Sequence, residues 1–321
     1  MSTLRIQASR PLLKWAGGKR QLLPALRPYY PAGFTRYVEP FFGSGAVFFD
    51  LSGSGLLGGR KACLTDANAD LIGCYRMVRD RTDEVIAALE DLAAGHSRDP
   101  EHFYYDVRDH RFNPARAAGA SYTPELAAMV IYLNRTGFNG LFRLNSRGAF
   151  NVPIGRYTNP RICDAAHIRE VARALAATGV TIEQHTFEHA IETAGAGDFV
   201  YCDPPYAPLS ATARFANYTA GGFSTIDQQR LQQAICAAAR RGAWIVLSNS
   251  SAPEIVSAYQ HAAARAAGLT VHRAPARRAI NSRADARGTV DELIVTNASY
   301  LQGKLRMAKK GLPVRSRRLS A

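Results

Sequence analysis

Hydrophobic and polar positions along this chain fall into two rhythms, short apolar runs and longer stretches with helical spacing. Arg36–Glu39 is predicted as a short strand, followed by a glycine-containing turn at Phe41–Gly45 and an apolar run, Ala46–Leu51, that starts a helix. Lys61–Thr65 is predicted as a second strand closing on Asp66, the opening of a βαβ unit. From about Leu71 to Leu133 the apolar spacing is helical, with Asp83, Asp99 and Thr123 as helix starts. Between Asn134 and Thr158 glycine, asparagine, arginine and aromatic residues alternate without a long period, which predicts a loop or hairpin. The α/β pattern then resumes. Ile168–Ala177 reads as a helix, Val180–Gln184 as a strand, and Asp198–Cys202 as a fully buried strand running into Asp203. Ile226–Arg240 reads as an amphipathic helix and Ala243–Ser248 as another buried strand. Leu269–Arg273 and Glu292–Thr296 are expected to pair as late antiparallel strands around the basic stretch Ala276–Arg287. The pattern predicts an α/β fold, a doubly wound sheet interrupted by a mostly helical insert.

Composition bounds this picture without changing it. A chain of 321 residues can hold one large α/β domain and a smaller inserted one. A hydrophobic share of 47% and a charged share of 21% are those of an ordinary globular protein. No run of 18 apolar residues occurs, and Met1–Arg10 lacks the apolar core of a signal peptide, so a cytoplasmic protein with no membrane partner is expected. Cys63, Cys74, Cys163, Cys202 and Cys236 are scattered, which predicts reduced, mostly buried thiols with neither a disulfide framework nor a metal site. The net charge of +14 suits a polyanionic partner, although an arginine-rich composition alone could produce it. The last residues, Gly303 to Ala321, carry seven of these cations and read as a mobile basic tail.

Three motifs carry candidate chemistry. Asp203-Pro204-Pro205-Tyr206 directly follows the apolar strand Phe199–Cys202. The carboxyl end of a parallel strand is where such sheets bind ligands. Two prolines there can fix a carboxylate and a carbonyl toward one pocket, and the tyrosine offers a flat face for a planar ring. These are the parts needed to hold an exocyclic amino group while its ring stacks. Glu39-Pro40-Phe41-Phe42-Gly43-Ser44-Gly45 lies at the first strand-to-helix turn, where small residues let the backbone approach a ligand closely. Asp66 closes the next strand 21 residues after Gly45, a position suited to accept from two ribose hydroxyls. A dinucleotide fingerprint would place a third glycine where Val47 and Phe48 stand, so a nicotinamide cofactor fits poorly. Leu13-Lys14-Trp15-Ala16-Gly17-Gly18-Lys19, ahead of the first strand, can form a lid over a ligand.

The order of these motifs, with Asp66-Ala67-Asn68 between the second and the Asp-Pro-Pro-Tyr, resembles the Dam family of DNA adenine-N6 methyltransferases. Leu133–Arg143 and Arg147–Pro153 resemble that family's DNA-reading hairpin, and the resemblance covers roughly residues 11 to 296. It implies a Rossmann-like fold of class I S-adenosylmethionine-dependent methyltransferases. The catalytic domain would comprise 1–71 and 158–301, and a target-recognition insert 72–157, with the hairpin at 134–157 and a disordered tail at 302–321. S-adenosylmethionine would be the cofactor and double-stranded DNA the partner.

By that resemblance Trp15, Lys19, Phe41, Asp66 and Asp203 would line the cofactor site, and Glu39 and the Gly43–Gly45 turn would hold its amino acid end. Asp203 and the carbonyl of Pro204 would accept from adenine N6, with Tyr206 stacked on the flipped base. Arg143 would read a guanine bidentately. Lys14, Phe138, Asn139, Leu141, Asn145, Pro153 and Arg156 would accompany it on DNA, with GATC as the target. The family often has tyrosine where this chain has Phe138, so a wedging contact survives and a hydroxyl contact does not. Arg277–Arg287 would add phosphate contacts. Direct attack by N6 on the methyl group needs no metal and no covalent intermediate. Cytosine C5 methylation needs a thiolate that in its family follows a proline, and no Pro-Cys pair occurs here. Cytosine N4 methylation stays open by the same direct attack, although its family resembles a Ser-Pro-Pro-Tyr pattern. Transfer to RNA or to a protein amide, whose families resemble Asn-Pro-Pro-Tyr, is the rival activity, and a catalytically inactive DNA-binding protein the rival class. The resemblance also allows a cognate restriction endonuclease as functional counterpart and a nucleoid-associated location.

Overall fold

The apolar runs form seven strands, β1 (Arg36–Glu39), β2 (Lys61–Asp66), β3 (Val180–Gln184), β4 (Asp198–Cys202), β5 (Trp244–Ser250), β6 (Thr270–Arg277) and β7 (Thr289–Thr296). They belong to a computed structural model that describes residues 10–15, 17–119, 121–206, 223–277 and 289–299. All seven lie in one sheet in the order β3-β2-β1-β4-β5-β7-β6. The first five are mutually parallel, and β7 runs antiparallel to both β5 and β6. Every residue of β4 and of β5 is buried, as central parallel strands covered on both faces must be. The expected fold is the one observed: a doubly wound α/β sheet.

The helices are α1 (Leu23–Leu26), α2 (Ala46–Gly53), α3 (Ala69–Asp80), α4 (Thr82–Arg98), α5 (Pro100–Tyr105), α6 (Asn113–Ala117), α7 (Pro124–Thr136), α8 (Ala165–Leu175), α9 (Phe187–Glu192), α10 (Thr225–Arg240), α11 (Pro253–Gln260) and α12 (Ala262–Ala266). One core, including Phe48, Phe49, Tyr75, Tyr132 and Phe150, joins one face of the sheet to the inserted helices. A second core, including Ile191, Leu231, Ile235 and Tyr259, covers the other face with α9 to α12. No described helix is long and apolar enough to cross a membrane.

Local chemistry sets the helix ends. Asp99 caps α5 by accepting from the His102 amide, and Thr123 caps α7 by accepting from the Leu126 amide. Asp83 does not start α4. That helix begins after Arg81 without a side-chain cap, because it follows α3 almost directly and Thr82 Oγ1 donates back to the Val78 carbonyl at 2.8 Å. Asp83 sits one residue inside, where a carboxylate still favours the helix N-terminus. Helix α7 also runs to Thr136, past Asn134, so the expected loop starts later than the change of pattern suggested.

From Gly137 the chain forms a loose hairpin with antiparallel bridges Gly137–Ile154 and Leu144–Phe150. The insert grips it from behind. Asn113 pairs with both main-chain groups of Phe150, at 3.0 and 2.7 Å, as a neighbouring strand would. Arg116 donates to the Gly148 carbonyl at 2.7 Å while its guanidinium is fixed on Asp70 at 2.8 Å. Tyr104 and Arg108 both donate to the Val152 carbonyl. Arg108 belongs to a π-helical turn, Asp106–Phe112, of the kind often found at functional positions.

Candidate active site

Three parallel neighbours end on acids at the same edge of the sheet. β1 ends at Glu39, β2 at Asp66, and β4 is followed at once by Asp203. The sheet order reverses between β1 and β4, and such a switch point opens a crevice. A cavity of about 530 Å³ lies there. Trp15, Lys19, Glu39, Phe41, Gly43, Asp66, Asp203, Pro204 and Tyr206 line it together. Gly45 does not line it; it takes φ 67° at the N-cap of α2 and turns the chain.

Burial raises all three carboxyls above their ordinary range. Glu39, 2% exposed, accepts from the Tyr37 hydroxyl at 2.9 Å, which offsets part of the effect, and Asp203 nearby adds to it. Asp66 is raised by burial and held back by the backbone amides of Asn68, Gly43 and Ala67. Its two oxygens receive the Asn68 amide at 2.9 Å and the Gly43 amide at 3.0 Å, so this acid shapes the glycine turn. Gly43 is needed there for two reasons, a φ of 48° and the Trp15 ring, which would stand 3.0 Å from a Cβ.

Asp203 is pushed up to about 6, by burial first, and the Lys19 ammonium beside it opposes the shift. Lys19 Nζ lies 2.8 Å from Asp203 Oδ1, donates to the Gly17 carbonyl at 2.7 Å, and sits 4.5 Å from the centre of the Tyr206 ring. Ser248 on β5 also donates to Asp203 Oδ1, at 3.2 Å, and is itself 2.9 Å from the Tyr201 hydroxyl. The proline loop is fixed from the other side. Gln228 on α10 donates to the Pro205 carbonyl at 3.1 Å, and Asn249 on β5 donates to Gln228 at 3.1 Å.

The opposite wall is aromatic. Phe41 stacks on Phe187 with centroids 5.4 Å apart, and Phe223 meets both rings. Sequence reasoning missed Phe187 and Phe223, as it missed Ser248, Gln228 and Glu292. For Phe187 a signal existed, since it follows β3 at the same carboxyl-terminal edge that singled out Asp66 and Asp203.

The expected DNA-facing residues gather on the hairpin, outside the cavity lining. Phe138 is 48% exposed, and Asn139 is, among the described residues, the non-glycine residue with positive φ, 54°. Leu141, Arg143 and Asn145 are half-buried, Pro153 and Arg156 exposed. Arg143 is held by Asn151, whose Oδ1 accepts from its Nε at 2.8 Å. The side-chain Oδ1 of Asn145 is engaged inside the hairpin turn, accepting from the amides of Arg147 and Ala149. Lys14 joins the hairpin, with its ammonium 4.7 Å from the centre of the Tyr157 ring. Trp15, next to it, stacks on Phe142 with centroids 5.6 Å apart. One segment therefore borders both the cavity and the hairpin. Arg277 ends β6, and the rest of the Arg277–Arg287 stretch and the 302–321 tail lie outside the described residues. The five cysteines are all free, and no group of three or more metal-binding side chains occurs among the described residues.

The model of the D12 class N6 adenine-specific DNA methyltransferases matches residues 15–274. The Type II methyltransferase M1.LlaDCHI of Lactococcus lactis subsp. cremoris is 38% identical over 293 residues, covering 90% of this chain and 95% of that protein. Type II methyltransferase M.MjaIII of Methanocaldococcus jannaschii is 37% identical over 298 residues, covering 90% and 99%. The DNA adenine methylase of Escherichia coli strain K12 is 35% identical over 307 residues, covering 95% and 100%. With a family match over most of its length and relatives aligned nearly end to end, this chain belongs to the D12 class of N6 adenine-specific DNA methyltransferases.

Proposed function

We propose that this enzyme transfers the methyl group of S-adenosylmethionine to N6 of an adenine turned out of duplex DNA within GATC. The catalytic part is 1–71 with 158–301, and the target-recognition insert is 72–157. The observation that carries the reading is the Asp203–Tyr206 loop at the cavity. Its acid is gathered with Lys19 and the Tyr206 ring, while the Pro205 carbonyl is committed to Gln228.

The residues present fit the cofactor. A cavity of about 530 Å³ is of ligand size. It offers acids for hydroxyl and amino groups at Asp66 and Glu39, an aromatic wall for a purine at Phe41 and Phe187, and Trp15 across the glycine turn. When bound, S-adenosylmethionine supplies an electrophilic methyl group on a sulfonium.

The chain's own part is to position and to stabilise. A base inside a duplex cannot reach a buried reaction centre, so it must leave the stack. Phe138, exposed beside the strained Asn139, is the wedge that fills its place. Tyr206 stacks on the extruded ring, and Asp203 with the Pro204 carbonyl accepts the two N6–H groups. These acceptors favour the positive charge that grows on N6 as its lone pair forms the new bond, and alignment supplies much of the rate. Asp203 takes the proton that N6 then sheds. Arg143 reads guanine, and Lys14 touches the outer base pair. A cognate restriction endonuclease is the functional counterpart this reading allows.

The test is transfer of labelled methyl to a GATC duplex and to one with its bases permuted. Label on adenine N6 in the GATC duplex alone is the expected result. Label in both duplexes would remove the sequence assignment and keep the chemistry. No label in either, with the cofactor bound, would move the substrate to RNA or a protein amide.

A further inference from the structure

We infer that Glu292 receives the Lys19 ammonium when the target amine engages Asp203, so that a lysine hand-over between two carboxylates exposes the acceptor the reaction needs. The inference rests on the reading of Asp203 given above. In the present arrangement Asp203 Oδ1 is taken, by Lys19 Nζ at 2.8 Å and by Ser248 Oγ at 3.2 Å. An incoming amine that docks on that oxygen displaces a neighbour. Lys19 is 4% exposed, and stranding its ammonium without a counter-charge would carry the penalty of an unpaired buried ion.

Glu292 removes that difficulty. It projects from β7, and its Oε2 lies 3.9 Å from Lys19 Nζ. Among the described residues that buried oxygen receives no hydrogen bond of good geometry, and the Tyr206 hydroxyl, likewise unsatisfied, is its neutral neighbour. An unsatisfied carboxylate oxygen beside an ammonium is a costly arrangement unless another state uses it. An ammonium has three donors, and two of those on Lys19 are spent on Gly17 and Asp203. A movement of about 1 Å along a flexible four-carbon stem brings Glu292 within hydrogen-bond range. The net charge of the cluster is unchanged by the movement, and the carboxylate that Lys19 leaves faces the amine on which positive charge develops. Asp203 is faced by Lys19 from the N-terminal segment, Glu292 from β7, Ser248 from β5, Tyr201 from β4, Glu39 from β1, and Tyr206 from its own loop. Of these acids, Glu292 is the one within reach of Lys19 besides Asp203 itself.

The experiment compares steady-state kinetics of wild type, Glu292→Gln, Glu292→Asp and Asp203→Ala on the cognate duplex, and repeats Glu292→Gln in a Lys19→Met background. The amide keeps shape and removes the charge. Expected is a fall in kcat of about tenfold or more for Glu292→Gln, with KM for DNA and for the methyl donor within about twofold, because docking at Asp203 follows binding. Glu292→Asp should recover a substantial part of kcat. In the Lys19→Met background the Glu292→Gln change should cost nothing further, since the group to be handed over is gone. Wild-type kcat in Glu292→Gln, or an equal loss with and without Lys19, overturns the hand-over. Transfer that survives Asp203→Ala instead overturns the reading of the site, and so the two failures are told apart.

Discussion

Asn134 holds the main chain of Lys14 at both of its polar groups, accepting from the amide at 2.9 Å and donating to the carbonyl at 2.7 Å. The same side chain donates to the Gly140 carbonyl at 2.8 Å and is 4% exposed. A single buried amide thus ties the segment carrying Trp15 and Lys19 to the hairpin. Asn134→Ala should lower stability by about 2–4 kcal/mol in urea unfolding, because it strands one donor and two acceptors. Asn134→Asp should be no better, since it keeps the acceptor and sets an oxygen against two carbonyls. A loss below about 0.5 kcal/mol would mean the contacts reform elsewhere.

Arg143 is aimed by Asn151 rather than by a carboxylate, which leaves its charge available for a base edge. Arg143→Ala should reduce discrimination by about 1–3 kcal/mol at one base pair of the target, measured as kcat/KM over singly substituted duplexes. Arg143→Lys should not restore it, because a lysine cannot present the planar fork. Equal weakening on every duplex would make Arg143 a phosphate contact.

Gly45 and Gly55 share a left-handed backbone and differ in surroundings. A Cβ on Gly45 would stand 2.5 Å from the Phe42 ring and 3.0 Å from Phe49, whereas one on Gly55 would meet nothing within 4 Å. Gly45→Ala should therefore cost about 2–4 kcal/mol, from backbone strain and overpacking together, and Gly55→Ala about 1 kcal/mol from strain alone. Thermal unfolding of the two variants checks this contrast, and equal shifts would refute it.

The sheet was legible because its central strands are buried on both faces and so read as unbroken apolar runs. β3 and β4 fall at the residues the pattern marks, and the acids that close β2 and follow β4 were visible as polar letters ending those runs. Helix α9 was not legible, since Phe187–Glu192 is too short to show a helical period. The expected role of the glycine turn was close approach to a ligand. The contacts that forbid a side chain at Gly43 and Gly45 come from Trp15, Phe42 and Phe49, which no local pattern reveals. Glu292 meets Lys19 only because β7 inserts between β5 and β6, which sets a late strand beside an early segment.

With the role proposed above, Asp203 should give the reaction its pH dependence. Its carboxyl must be ionised to accept from the target amine, and burial holds it at about 6. In the free enzyme kcat/KM should be flat above that value and fall about tenfold per pH unit below it. Lys19 lowers the Asp203 value, so Lys19→Met should move the limb to higher pH, and Ser248→Ala should move it the same way by less. Stability runs opposite. A carboxyl that binds its proton more tightly folded than unfolded contributes most below its unfolded value, and that contribution is lost as pH rises through about 4 to 6. Acidification toward pH 5 should thus reduce turnover before it unfolds the protein, and returning to neutral pH should restore full rate. An unmoved limb in Lys19→Met would assign the titration to another group.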